Sequence, residues 1–389
     1  MGLDRTKRII YISALVILLG LAGFFLYWFF LPAERRTPET EKRIRSLVPA
    51  SSEEKTSPES ILKEEETKIL ETKPELTLVQ ITDFPVVSPG LDKSGDKVLF
   101  YKKDGGDLFS SDFSGKEKEK ISNLTIVGLV EAIWSGGRAA VFYLDGETRK
   151  GFLHTSTSST AALPQDVRSF SWSPDGRLIA YALRKGDGLN LITADDRGRN
   201  PRTIFSTPLL DSQVSWISSD KLALQTAASG FAEGYLFLFS RSSPSLTRII
   251  GPRFGLTSLW SPDGSRVLYS STNSSGRDLL LVVADVSGKR LFEATLRTLP
   301  EKCVWISAKE IYCAVPRGSI TDAVWPDNYL QGILNTSDRI VRLNFDKKEI
   351  NEVFDEHDFD ISNLTLSKNR NYLLFVDRKD GTLWSLKLK

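Results

Sequence analysis

The run Ser169-Phe170-Ser171-Trp172-Ser173-Pro174-Asp175-Gly176-Arg177-Leu178-Ile179-Ala180-Tyr181-Ala182-Leu183 returns at Leu259 to Ser271 as L-W-S-P-D-G-S-R-V-L-Y-S-S. Its centre has the chemistry of a tight hairpin. Ser173 takes the first turn position, Pro174 presets φ at the second, Asp175 can bond nearby backbone, and Gly176 closes the turn. A strand therefore enters at Trp172 and another leaves at Leu178. Leu178 to Leu183 is apolar at nearly every position, which predicts a strand covered on both faces, as when sheets stack face to face.

Five weaker copies share the plan of strand, turn and apolar strand. They begin at Leu91, Trp134, Trp216, Trp305 and Leu366. With Trp172 and Trp260 these marks lie 43, 38, 44, 44, 45 and 61 residues apart, so one interval carries an insertion. Between marks a second turn signal recurs as Asp-x-x-Gly at Asp112 to Gly115, Asp195 to Gly198 and Asp285 to Gly288. It closes a third strand onto a fourth. Four short antiparallel strands in about 44 residues are the signature of a propeller blade. The seventh repeat ends after its third strand. The β-like segment 76–82, L-T-L-V-Q-I-T, supplies the missing fourth and removes the open edges. The expected fold is all-β: a seven-bladed β-propeller of four-stranded antiparallel blades over residues 76–389, closed by 76–82.

Trp172 to Tyr181 and Trp260 to Tyr269, each Trp-Ser-Pro-Asp-Gly followed, directly or after one serine, by a basic residue, aliphatic residues and Tyr, resemble the repeat of TolB-type β-propellers. The same repeat occurs in the propellers of tricorn and of prolyl oligopeptidase-like peptidases. The resemblance extends over residues 76–389. It implies a non-catalytic interaction or scaffold domain at the cell envelope.

Ahead of the repeats, Ile9 to Leu31 is a run of 23 residues without a charge, enough for a helix of roughly 34 Å, which spans a bilayer. The run is too long for a signal-peptide core, and no small-x-small cleavage site precedes Pro32. The expectation is one N-terminal transmembrane α-helix at 9–31 after a short basic tail, 1–8. Such a tail is typical of a signal anchor, and long domains translocate largely regardless of charge. This puts the N-terminus inside and the propeller outside, single-pass at the cell membrane. Residues 32–75 are rich in Glu, Lys, Ser, Thr and Pro and hold no aromatic residue, so they read as a flexible charged linker.

Lys and Arg number 51 against 49 Asp and Glu in 389 residues, which leaves no charge excess to favour nucleic acid. Two cysteines and two histidines, with no Cys-x-x-Cys, do not suggest a zinc site. No Gly-x-Ser-x-Gly elbow, Walker loop or His-Glu-x-x-His occurs. His154, in a Ser/Thr-rich stretch, and His357, in an acidic one, read as solvated loop residues. No catalytic residue, metal or cofactor is assigned.

Three features remain. Cys303 and Cys313 flank a three-residue loop that sets them opposite each other; a disulfide is one outcome outside the cytoplasm, but directly cross-strand bridges are geometrically demanding. Two buried thiols packing as small apolar side chains are the preferred reading. The long interval places an insertion, 316–338, between the second and third strands of blade six, on the face opposite the Ser-Pro-Asp-Gly turns. It carries Arg317, Trp325, Asp327 and Tyr329, which serve either as a recognition loop for another protein or as a cap on the blade. The loops leading into the first strands on that face hold Asp83, Asp166, Asp211, Asp358 and Asp360 against Arg168 and Arg253. They suggest an acidic funnel at the channel mouth, and with it the alternative of a propeller enzyme or ligand-binding domain acting on a glycan or peptide through carboxylates.

Overall fold

The structure, a computed structural model, describes residues 76–122, 124–155 and 160–388. The tail, membrane span and linker expected within 1–75 lie outside the described residues. Among those described, no helix is long and apolar enough to cross a membrane.

Seven four-stranded antiparallel sheets follow one another along the chain. In blade three, strands a to d run outward as Val167–Trp172, Leu178–Lys185, Gly188–Asp195 and Arg202–Thr207. Strand b is buried on both sides through Ile179, Ala180, Tyr181 and Ala182, because neighbouring sheets cover both of its faces. Blade seven takes strands a to c from Ile361–Leu366, Tyr372–Asp377 and Leu383–Lys387. Its strand d is Thr77–Gln80, in register Thr77 with Lys387 and Gln80 with Trp384. Beyond that strand, Ile81 N–H donates to the Leu383 carbonyl and Leu383 N–H to the Thr82 hydroxyl. Apolar clusters fill the junctions between successive blades; the one holding Phe100, Leu374 and Leu383 joins blade seven to blade one. The ring is closed as expected from 76–82.

The turn chemistry repeats. In blade three Ser173 Oγ accepts from Leu178 N–H at 2.9 Å and donates to Asp175 at 2.7 Å, while Gly176 N–H donates to the Ser173 carbonyl. Ser261 and Asp263 do the same in blade five, and Ser367 with Asn369 in blade seven. Gly176 sits at φ 67°, and a Cβ there would meet Ser135 Oγ at 2.6 Å, so two constraints select glycine. The tryptophan of the motif has a second task. Trp134, Trp172 and Trp305 each donate an indole N–H to a carbonyl on strand a of the preceding blade, at Ser88, Ile133 and Leu259. The motif thus binds blade to blade as well as turning the chain.

Two expectations are corrected. Cys303 and Cys313 are bonded, where two free thiols were preferred. Strands a and b of blade six, Cys303–Ser307 and Glu310–Pro316, pair them directly across the ladder, with Cα atoms 4.1 Å apart. His154 is not in a solvated loop: it lies on strand c of blade two, Thr148–Thr155, opposite Ala139, is buried, and bonds the Tyr101 hydroxyl. His357 is exposed, but on strand d of blade six, Glu349–Phe359.

Candidate functional site

Strand alternation divides the disc into two faces. The a–b and c–d turns share one; the d–a and b–c connections share the other, where the insertion between Pro316 and Asp338 lies. The insertion folds inward. Trp325 and Tyr329 are 4% and 5% exposed and cluster with Leu279, Leu299 and Ala323. Their indole and phenol rings are therefore closed to a partner. Trp325 N–H donates to the Gly276 carbonyl of blade five at 2.8 Å. Asp327 opens a one-turn helix, Asp327–Leu330, and accepts from Ser229 Oγ at 3.1 Å and Gly230 N–H at 2.6 Å in blade four. Arg317 is held by Asp355 and, at 3.1 Å, by Ser337 Oγ. The insertion thus straps blade six to the b–c loops of blades four and five.

Its deepest anchor is ionic. Lys302 Nζ is fully buried, 2.7 Å from Asp338 and 2.9 Å from Asp360, and donates to Thr336 Oγ1 at 2.9 Å. Burial alone would drive its proton off, but Tyr329, Asp338 and Asp360 outweigh that and hold the ammonium above its ordinary range. Asp360 also faces Arg378 at 3.6 Å. Asp360 is therefore spoken for inside the junction of blades six and seven. Asp166 is half-buried and Asp211 exposed; both hold positive φ, 61° and 56°, and among the described residues neither is paired with a cation, unlike Asp360. Asp358 is paired with Lys379 at 2.8 Å. The expected acidic funnel is largely neutralised, and among the described residues no three His, Cys, Asp or Glu side chains gather as metal ligands.

The first strands of blades one, two, five, six and seven line a central channel. Of the carboxyls that line it, Glu131 is paired with Arg149 and Asp92 accepts from the backbone of its own turn, which leaves Glu301, in the 3-10 turn Pro300–Lys302 that leads into blade six. Thr257 Oγ1 donates to Glu301 Oε2 at 2.9 Å, and Ser270 stands 3.0 Å behind Thr257. Enclosure by the channel wall pushes the carboxyl above its ordinary range, against the opposing backbone and Thr257 hydrogen bonds. Sequence reading passed over Glu301, Lys302 and Thr257, although Glu301 follows the same rule that drew attention to the aspartates: an acid in a d–a connection.

The same face carries most of the exposed apolar side chains. Of the ten large hydrophobic residues exposed among those described, eight lie on it: Val127, Val130, Leu144, Leu210, Phe231, Leu280, Leu330 and Ile333. Leu291 and Ile350 lie toward the other face.

No protein-family model matches the chain. No curated protein matches it. Among solved structures it is similar to an oligogalacturonate lyase in complex with manganese, at a TM-score of 0.57 and 13% identity over 81% of this chain and 91% of that one. It is also similar to the β-propeller domain of the Trilobed protease from Pyrococcus furiosus, at 0.56 and 12% over 78% and 97%. With TolB from Acinetobacter baumannii the TM-score is 0.44 at 14% identity over 74% and 78%. The first two similarities agree with the β-propeller fold, and at such identities they carry the fold alone.

Proposed function

We propose that this chain is a membrane-anchored, non-catalytic β-propeller that serves as a protein-interaction platform at the cell envelope, docking through the face that bears the insertion. The observation that carries this reading is the uneven distribution of exposed large apolar side chains among the described residues, eight of ten on that face, with Phe231 at 65% and Ile333 at 69% exposure. Contiguous exposed apolar groups mark interaction surfaces, and on this face Val127 adjoins Leu144 while Val130 adjoins Leu330. The burial of Trp325 and Tyr329 moves the contact from those rings to the shell around them: the insertion supplies Leu330 and Ile333, and blade four supplies Phe231. The TolB-like motif supports the same class of role.

The test is cross-linking of the full-length chain in its native membrane. Phe231→Asp and a Leu330→Asp/Ile333→Asp double variant should lose captured partners, whereas Leu291→Asp on the other face should keep them. An unchanged partner set in both face variants would sink the proposal. Cleavage of a glycan or peptide through carboxylates is the alternative. Glu301 is the observation in its favour, and turnover abolished by Glu301→Gln would promote it.

A further inference from the structure

The mouth of the channel on the insertion face opens into a cavity of about 560 Å³, a size typical of small-molecule sites. Its chemistry is divided. Part of the wall is apolar, from Val87 of blade one, Leu129 and Val130 of blade two and Leu330 of the insertion, and the rest is polar. Glu301 supplies a carboxyl that enters no ion pair among the described residues and has the Thr257 hydroxyl behind it. Lys103, in the b–c loop of blade one, supplies an exposed ammonium that is equally unpaired among those residues. Arg378 also borders the cavity, but its guanidinium is committed to Tyr329 and Asp360.

Ser88 and Asn363 line the same cavity from strands a of blades one and seven. Both stand in register shifts of the ladder, between Val87 and Gly90 and between Ser362 and Thr365, and both hold positive φ. Bulges of this kind re-aim side chains, and here they bring a hydroxyl and an amide to the cavity that Glu301 enters. A second cavity of about 550 Å³ shares Ser88, Glu301 and Asn363 and continues along the axis.

One unpaired anion, one unpaired cation, neutral hydrogen-bonding groups and a partly apolar wall do not suit a polyanion, which Glu301 would repel, nor a plain hydrocarbon, which would leave both charges unused. We propose that the channel mouth binds a small amphoteric molecule with a free ammonium, a free carboxylate and an apolar body, such as an apolar amino acid or a dipeptide of such residues. Glu301 receives the ammonium, Lys103 the carboxylate, and Val87, Leu129, Val130 and Leu330 the side chain. The site requires no protein partner on the surrounding face, so it stands or falls separately from the docking role.

The experiment is calorimetric titration of the full-length chain with leucine and with dileucine, beside the N-acetylated and C-amidated forms of each. At least one zwitterion should bind, and removal of either of its charges should weaken binding about tenfold or more. Glu301→Gln should weaken the zwitterion but leave the N-acetylated form unchanged; Lys103→Gln should weaken it but leave the amide unchanged. Circular dichroism and thermal denaturation confirm that the variants fold, and Glu301→Asp should recover part of the lost affinity. Binding indifferent to acetylation and amidation, zwitterion binding by both Gln variants as tight as by the parent chain, or no binding by either zwitterion would overturn the proposal.

Discussion

The guanidinium of Arg378 lies 4.0 Å from the centroid of the Tyr329 ring, and its Nη2 donates to the Tyr329 carbonyl at 3.0 Å. Lys302 Nζ approaches the same ring at 4.7 Å. A residue of the insertion is thereby held between two cations of the blade six and seven junction, one of them fully buried. The cations gain a π face, and the ring gains two charges that burial makes stronger.

The insertion is therefore part of the fold rather than an appendage. Tyr329→Ala should destabilise the propeller by about 3–5 kcal/mol, the range for removing a buried aromatic ring. Tyr329→Leu, which keeps apolar volume and loses the π face, should cost less. Denaturant unfolding of the parent and the two variants measures the difference, and a Tyr329→Leu variant as stable as the parent would mean that the cations contribute nothing through the ring.

Beneath the ring, Lys302 bridges two carboxylates that water does not reach, with Arg378 supplying the second positive charge beside Asp360. Lys302→Met leaves Asp338 and Asp360 buried without their ammonium and should cost about 3–5 kcal/mol. Adding Asp338→Asn and Asp360→Asn should recover much of that loss, since a neutral set of similar shape is tolerated far better than a broken pair. A triple variant no more stable than Lys302→Met would show that packing, not charge, governs the junction.

What could be read from the chain divides along physical lines. The blade count and the closure by Thr77–Gln80 were legible because turns and apolar alternation are local signals, repeated seven times. The position of the insertion was legible because it breaks that period. Its orientation was not. Trp325 and Tyr329 have the composition of a binding loop and of a plug alike, and only the partners at Gly276, Ser229 and Arg378, from 49 to 98 positions away, select the second. The Lys302 cluster escaped for the same reason: Lys302 and Asp360 are 58 positions apart, and nothing in either neighbourhood announces the other. His154 was misplaced because its Ser and Thr neighbours imitate a loop, while its strand pairing with Ala139 is set by the preceding strand.

His154 gives the fold a pH dependence with a definite sign. Burial beside Tyr101 pushes the imidazole below its ordinary value of 6.5. The unfolded chain therefore takes up a proton at higher pH than the folded one. The stabilisation from keeping this residue neutral is complete above the unfolded value and declines as pH falls from about 6.5 toward the folded value. Unfolding free energies measured from about pH 8 to pH 5 should fall more steeply for the parent chain than for His154→Gln, which cannot titrate. Parallel curves would exclude His154 as the source.

The bond between Cys303 and Cys313 closes a short loop, with a sequence separation of 10. Chain entropy assigns such a loop about 2–3 kcal/mol of stabilisation, acting on the unfolded state. Both cysteines are buried at the junction of blades five and six, among Trp305, Ile311 and Val341. A reductant should therefore reach the bond only as that junction opens. The chain should keep its disulfide when dithiothreitol is added under native conditions, and should lose it at a rate that rises with denaturant in step with unfolding. The Cys303→Ala/Cys313→Ala variant should unfold at lower denaturant than the oxidised parent while keeping the same blade structure, since two small apolar side chains fit where the sulfurs lie. Rapid reduction under native conditions would show that the junction opens locally, and blade six would then be the least stable part of the ring.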